Sequence, residues 1–202
     1  MNEEKVWIDA AREGDQRAFE QLIHRYEKRV FALTRRMCKN PADAEEAAQE
    51  AFLAAWQGLR FFRGDSSFST WLYRLASNAC VDLLRKEGRH SAAAGPSLND
   101  EEAVVEIPDN SPTPHVLAER AELRKQIEEG LAALPEEYRE ILILREIHQQ
   151  SYDEISEILS LDLGTVKSRI NRGRKRLRKF LLESGNFSEV NASKETEKEG
   201  CK

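Results

Sequence analysis

The stretch from Gly88 to Val116 constrains this chain most, because it holds four of the six prolines. It also carries Ala92-Ala93-Ala94-Gly95 and acids at Asp100, Glu101, Glu102, Glu106 and Asp109. Proline at that density removes backbone donors and clashes with a continuing helix, while the acids leave little to bury. The segment reads as an extended, solvated linker, and no single core can run through it. As a coil it would span roughly 30 Å, and fully stretched about 100 Å. A 202-residue chain divided in this way must fold as two small bodies. The expected boundaries are 15–87 for the first body, 88–116 for the linker, 117–183 for the second and 184–202 for a disordered tail.

Both bodies read as helical. Phe19, Leu22, Ile23, Tyr26, Val30, Phe31, Leu33 and Thr34 recur at steps of three and four, the period of a helix with one buried face. That helix should stop near Asn40-Pro41, since proline pushes the preceding residue out of the helical region. A second helix, carrying Ala47, Ala48, Ala51, Phe52, Ala55 and Trp56, should end near Gly58. The polar loop Arg63-Gly64-Asp65-Ser66-Ser67 follows, then a third helix from about Phe68 to Lys86. No segment alternates with period two among β-branched residues, so the fold class expected is all-α.

The second body gives the sharper signal. Ser151-Tyr152-Asp153-Glu154 matches a capping box, in which the serine oxygen accepts from the third backbone N–H and the glutamate reaches back. After a break at Ser160-Leu161-Asp162-Leu163-Gly164, a new helix starts near Thr165 with Val166, Ile170 and Leu177 inward. Between Leu163 and Phe180 stand eight cations and no acid. The whole chain is −5, so +8 here leaves −13 on the rest, and a strongly basic helix sits on an acidic body. Helix, tight turn and basic helix form the helix-turn-helix layout, whose second helix enters the DNA major groove. Lys167, Ser168, Asn171 and Arg172 lie on its early turns, where side chains reach bases.

Other functions are disfavoured. The longest apolar stretch, Ile141 to Leu144, is cut off by Arg145, far short of the roughly 20 residues of a membrane helix. Met1 to Lys5 lacks a secretion-signal layout, and Cys38, Cys80 and Cys201 form no Cys-x-x-Cys pair. The expectation is a cytoplasmic protein with no membrane insertion, no metal and no cofactor. Glu20 and His24 fall at i and i+4 rather than in the paired Glu-x-x-His of a di-iron bundle. His90, His115 and His148 read as surface residues, and no catalytic group is assigned. A simple helix-turn-helix regulator with a sensing or dimerising N-terminal half remains the rival from another class.

The segment Phe62-Arg63-Gly64-Asp65-Ser66-Ser67-Phe68-Ser69-Thr70-Trp71-Leu72-Tyr73-Arg74-Leu75-Ala76 closely resembles the promoter-melting segment of extracytoplasmic-function (ECF) sigma factors of the sigma-70 family. Asp43 to Trp56 resembles that family's core-polymerase-binding helix, and Leu134 to Arg139 and Gly164 to Arg169 resemble its C-terminal domain. The resemblance implies a non-enzymatic bacterial initiation factor that carries core RNA polymerase to promoter DNA and is restrained by an anti-sigma factor. By motif position, Asp43, Glu46, Gln49, Glu50, Phe52 and Trp56 would face polymerase. Arg63, Ser66, Ser67, Phe68, Asn78 and Asp82 would engage the minus-ten element, with a flipped base held at the loop. Lys167, Ser168, Arg169, Asn171, Arg172 and Lys175 would engage the minus-thirty-five element. Two positions depart from the family pattern. Ala47-Ala48 stands where a bulkier pair is common, which would trim the polymerase contact. Ser160 stands where glycine is usual, so the turn either avoids the left-handed region or strains there.

Overall fold

The computed structural model describes residues 3–38, 40–90 and 114–184. Most of the expected linker and nearly all of the expected tail lie outside the described residues. Among those described, every regular element is helical, in two domains.

The N-terminal domain packs four helices: α1 (Glu3–Arg12), α2 (Gln16–Met37), α3 (Pro41–Gly58) and α4 (Phe68–His90). The sequence reading passed over α1; it is tied to α2 by Glu4, whose Oε2 accepts from the Tyr26 hydroxyl at 2.9 Å and pairs with Arg25 Nε at 3.2 Å. Burial and this carboxylate push the Tyr26 phenol up to about 12. Asp15 caps α2, its carboxylate accepting from the Arg17 and Ala18 amides at 2.9 and 3.3 Å. The Asn40 side chain accepts from the Asp43 amide at 2.8 Å and caps α3, with Pro41 at the first helical position, where no donor is needed. Helix α3 turns Ala44, Ala47, Ala48, Ala51 and Ala55 inward, and these short side chains let it lie close against α2 and α4. Ala47 and Ala48 are thus core residues, and their small size trims no outward surface. Leu22, Leu33 and Leu72 fill the centre, and truncating any of them to alanine is expected to cost about 2–5 kcal/mol.

The C-terminal domain comprises α5 (Pro114–Ala132), α6 (Glu136–Leu142), which runs on into a wide π-type turn at Ile143–Ile147, α7 (Tyr152–Leu159) and α8 (Leu163–Glu183). Both halves of the capping box form: the Glu154 amide donates to Ser151 Oγ at 3.2 Å, and the Ser151 amide to Glu154 Oε2 at 2.7 Å. Asp162 caps α8 through the Thr165 amide at 2.9 Å, and the Thr165 hydroxyl and amide hold its carboxyl below the usual range. Helix α8 crosses α6 at Gly173, where a Cβ would lie 3.1 Å from Leu142 Cγ. Ile141, Leu142, Leu144, Ile155, Val166 and Ile170 make the core beneath this crossing.

The turn between α7 and α8 settles the question at Ser160, whose φ of 53° and ψ of 44° put it in the left-handed region. That conformation costs an L-residue roughly 1–2 kcal/mol, part of which glycine returns as chain entropy. Ser160→Gly is expected to stabilise the protein by about 0.5–1 kcal/mol. A urea unfolding midpoint that stays put or falls would refute this. Gln149, ahead of α7, carries the same strain at φ 54° and gave no warning in the sequence.

Candidate functional site

Three exposed surfaces carry the residues of interest. On α3, Glu46, Gln49 and Glu50 point outward on one ridge, and Leu53 joins them, 51% exposed. This apolar neighbour was missed by sequence reasoning. Spacing alone finds it, since 46, 49, 50 and 53 share a helix face. Asp43 is half-buried and engaged with Asn40. Trp56 packs on Phe19 with ring centroids 5.0 Å apart, and Phe52 is half-buried beside the core. The outward face is therefore Glu46, Gln49, Glu50 and Leu53, with Asp43, Phe52 and Trp56 at its base.

The second surface is built by the loop between α3 and α4 and by the outer face of α4. A cleft of about 490 Å³ is lined by Phe61, Phe62, Arg63 to Ser66, Trp71 and Arg74. Phe61 is 71% exposed, with the Arg60 guanidinium 4.6 Å from its ring centre. Phe62 and Trp71 lie together at 5.0 Å, an aromatic wall with Trp71 half-exposed. Arg63 pairs with Asp65 at 3.3 Å at the rim. Two expected assignments change. Phe68 is only 3% exposed, between Tyr26, Phe62 and Trp71, so it supports the wall from beneath and does not face the cleft. Ser67 caps α4, its Oγ accepting from the Thr70 amide at 3.1 Å. Asn78 and Asp82 are exposed one turn apart, and Asp82 lies 3.8 Å from Arg85. Arg74, on the same side of α4, was not singled out in the sequence.

The third surface is α8. Lys167, Ser168, Asn171, Arg172 and Lys175 form one exposed face. Other cations of the run are spent inside the domain. Arg169, whose side chain is 30% exposed, pairs with Glu137 at 3.1 Å. Arg174 pairs with Glu146 at 2.7 Å, and Arg176 lies over the Tyr138 ring at 4.9 Å. Arg169 therefore braces α8 against α6 and stands apart from that exposed face. Among the described residues no group of three His, Cys, Asp or Glu could hold a metal ion, and no helix is long and apolar enough to cross a membrane.

Comparison with known proteins gives matches across both domains. The family model for sigma-70 region 2 matches residues 22–90, and that for sigma-70 region 4 matches residues 124–177. The ECF RNA polymerase sigma factor SigW of Bacillus subtilis (strain 168) is 36% identical over 181 residues, covering 89% of this chain and 97% of the relative. The ECF RNA polymerase sigma-E factor of Escherichia coli (strain K12) is 37% identical over 177 residues, covering 85% and 90%. Among solved structures, that of CnrH in complex with the cytosolic domain of CnrY superposes with a TM-score of 0.65 at 27% identity, covering 91% of this chain and 99% of that one.

Proposed function

We infer the working cycle from one premise: this chain belongs to the extracytoplasmic-function sigma factors of the sigma-70 family. It directs core RNA polymerase to promoters and helps open the DNA. The α3 ridge of Glu46, Gln49, Glu50 and Leu53 docks on polymerase, with Phe52 and Trp56 fixing its angle. Asn78 and Asp82 address one strand of the minus-ten element. A base released from the stack enters the cleft between Phe61, Phe62 and Trp71, whose faces replace the lost stacking. Arg63 and Arg74 are placed to meet the flanking phosphates. At the minus-thirty-five element, Lys167, Ser168, Asn171 and Arg172 read base edges, and Lys175 adds a phosphate contact.

The protein contributes no bond-making chemistry of its own; it positions DNA for the polymerase, and so acts in the cytoplasm. An anti-sigma factor, the restraint that the family resemblance implies, is its expected regulatory partner. The observation that carries this reading is that two separate domains each present an exposed polar face of the right kind, joined by a chain long enough to let them act apart. The decisive experiment mixes the purified chain with core polymerase and sequences the transcripts made with and without it. New, discrete start sites are expected, along with weak duplex binding by the chain alone. Nanomolar duplex binding without polymerase at physiological salt would instead favour a simple helix-turn-helix regulator.

A further inference from the structure

The exposed ridge of α3 does not end at Leu53. Glu46, Glu50, Leu53, Gln57 and Arg60 follow one another at steps of four, three, four and three, the spacing that keeps side chains on one side of a helix. All five are exposed. From position 46 to position 60 the strip runs about 21 Å, at 1.5 Å per residue. Its charge changes along that length. Two carboxylates stand at the start, a leucine in the middle, then an amide, and last a guanidinium in the short turn Leu59–Phe61 that follows α3.

At the basic end the surface turns concave. A pocket of about 350 Å³ lies there, lined by Ala11, Arg12, Gly14, Trp56, Gln57 and Arg60. Helix α1 supplies one wall, and its tie to α2 through Glu4, Tyr26 and Arg25 fixes that wall in place. Trp56, stacked on Phe19, makes a rigid aromatic side. The two guanidinium groups are little engaged. Arg12 has Asp9 at 3.9 Å, and with 57% of the Asp9 side chain exposed the pair is weak in water. Arg60 lies over the Phe61 ring, which covers the flat face of the guanidinium and leaves its in-plane N–H donors to a partner. Among the described residues no carboxylate lines the pocket. Two planar cations beside an aromatic wall, with no acid between them, are arranged to receive a carboxylate in paired hydrogen bonds.

Resting on the polymerase-docking reading above, we propose that this pocket is a second anchor for core RNA polymerase, and that it takes an Asp or Glu side chain from the polymerase surface lying along α3. The ridge then holds its partner by opposite signs at its two ends. Cations of polymerase meet Glu46 and Glu50, the carboxylate meets Arg12 and Arg60, and Leu53 packs between. A strip of that polarity accepts its partner in one direction and one register, because the reversed arrangement sets like charges against each other. The pocket shares no lining residue with the aromatic cleft, and Gln57 stands one turn from Leu53. Both facts group the pocket with the polymerase ridge rather than with the captured DNA strand. Helix α1 thereby becomes part of the docking surface.

The test titrates the full chain against core polymerase by anisotropy at low and high salt. Arg12→Glu with Arg60→Glu should weaken association about tenfold or more at about 0.05 M potassium chloride, and only about twofold at about 0.5 M, where charges are screened beyond about 4 Å. Both arginines are exposed, so the urea unfolding midpoint should not move. Arg60→Lys, which keeps the charge, should bind within about threefold of the unaltered chain. A benzophenone photocrosslinker in place of Gln57, in the holoenzyme, should attach to a polymerase peptide that contains Asp or Glu. Changing that acid to Lys should restore the affinity of the doubly reversed chain.

Unchanged affinity of the double reversal at low salt would overturn the anchor. A crosslink to promoter DNA, with normal polymerase affinity but impaired opening by saturated holoenzyme, would overturn it too and give the pocket to a phosphate of the strand. A crosslink to the chain's own acids between Asp100 and Asp109 would do the same in favour of the linker. If Leu53→Glu weakens association and the arginine reversals do not, only the pocket assignment falls. If the unaltered chain fails to bind core polymerase at all, the docking reading falls and takes the anchor with it.

Discussion

Leu53→Glu is expected to weaken association with core RNA polymerase by at least about 30-fold while leaving the melting curve unmoved. In the free chain Leu53 is half out in water, so replacing it disturbs little packing; Ala47, Ala51 and Ala55 on the opposite side of α3 carry the core. In a complex its position changes meaning. It is an apolar group set among Glu46, Gln49 and Glu50, and a central apolar anchor ringed by polar residues is the arrangement in which a few side chains carry most of the binding energy. Loss of about 2 kcal/mol at such a site is the stated 30-fold. Leu123→Glu on α5, a leucine 40% exposed, is the control and should bind polymerase within about twofold of the unaltered chain. Equal affinities for all three in an anisotropy titration with core enzyme would mean that the α3 ridge is an ordinary solvated face.

What the sequence disclosed, and what it withheld, follows the range of the interactions involved. The capping box at Ser151 and Glu154 and the Asn40-Pro41 start of α3 are decided within four residues, and both were readable as written. The expected linker from Gly88 to Val116 likewise rests on local prolines alone; most of it lies outside the described residues, and α4 and α5 run into its two ends, to His90 and from Pro114. Misreadings occurred where a distant segment arrives. Phe68 and Trp71 stand three apart on one stripe, and period alone cannot say which is the deeper. Phe62 and Tyr26 flank Phe68 and bury it, leaving Trp71 at the cleft. His148 looked like a lone polar residue because its neighbour, Tyr73, belongs to the other domain. Arg169 counted as one more cation in a run, since its partner Glu137 is on another helix.

That division of the basic run gives the other large effect. Lys167→Ala with Arg172→Ala should lower promoter-dependent initiation about ten- to hundredfold, the range expected when one or two good base contacts of about 1–3 kcal/mol are lost. Polymerase association should be unchanged, because both side chains are exposed on α8, in the other domain from the α3 ridge. Lys175→Ala, as a phosphate contact, should weaken all promoters alike and remove about 0.9 from the slope of log affinity against log salt. Arg169→Ala and Arg174→Ala should behave differently. Their partly exposed pairs with Glu137 and Glu146 are worth no more than about 1 kcal/mol each, so a small loss of stability should accompany nearly normal initiation. Run-off transcription across a potassium chloride series, beside urea unfolding of the same variants, separates the two groups. If Arg169→Ala impaired promoter use as much as Arg172→Ala at unchanged stability, the reading face of α8 would have to be turned by about 60° about the helix axis, since residues three apart differ by that angle.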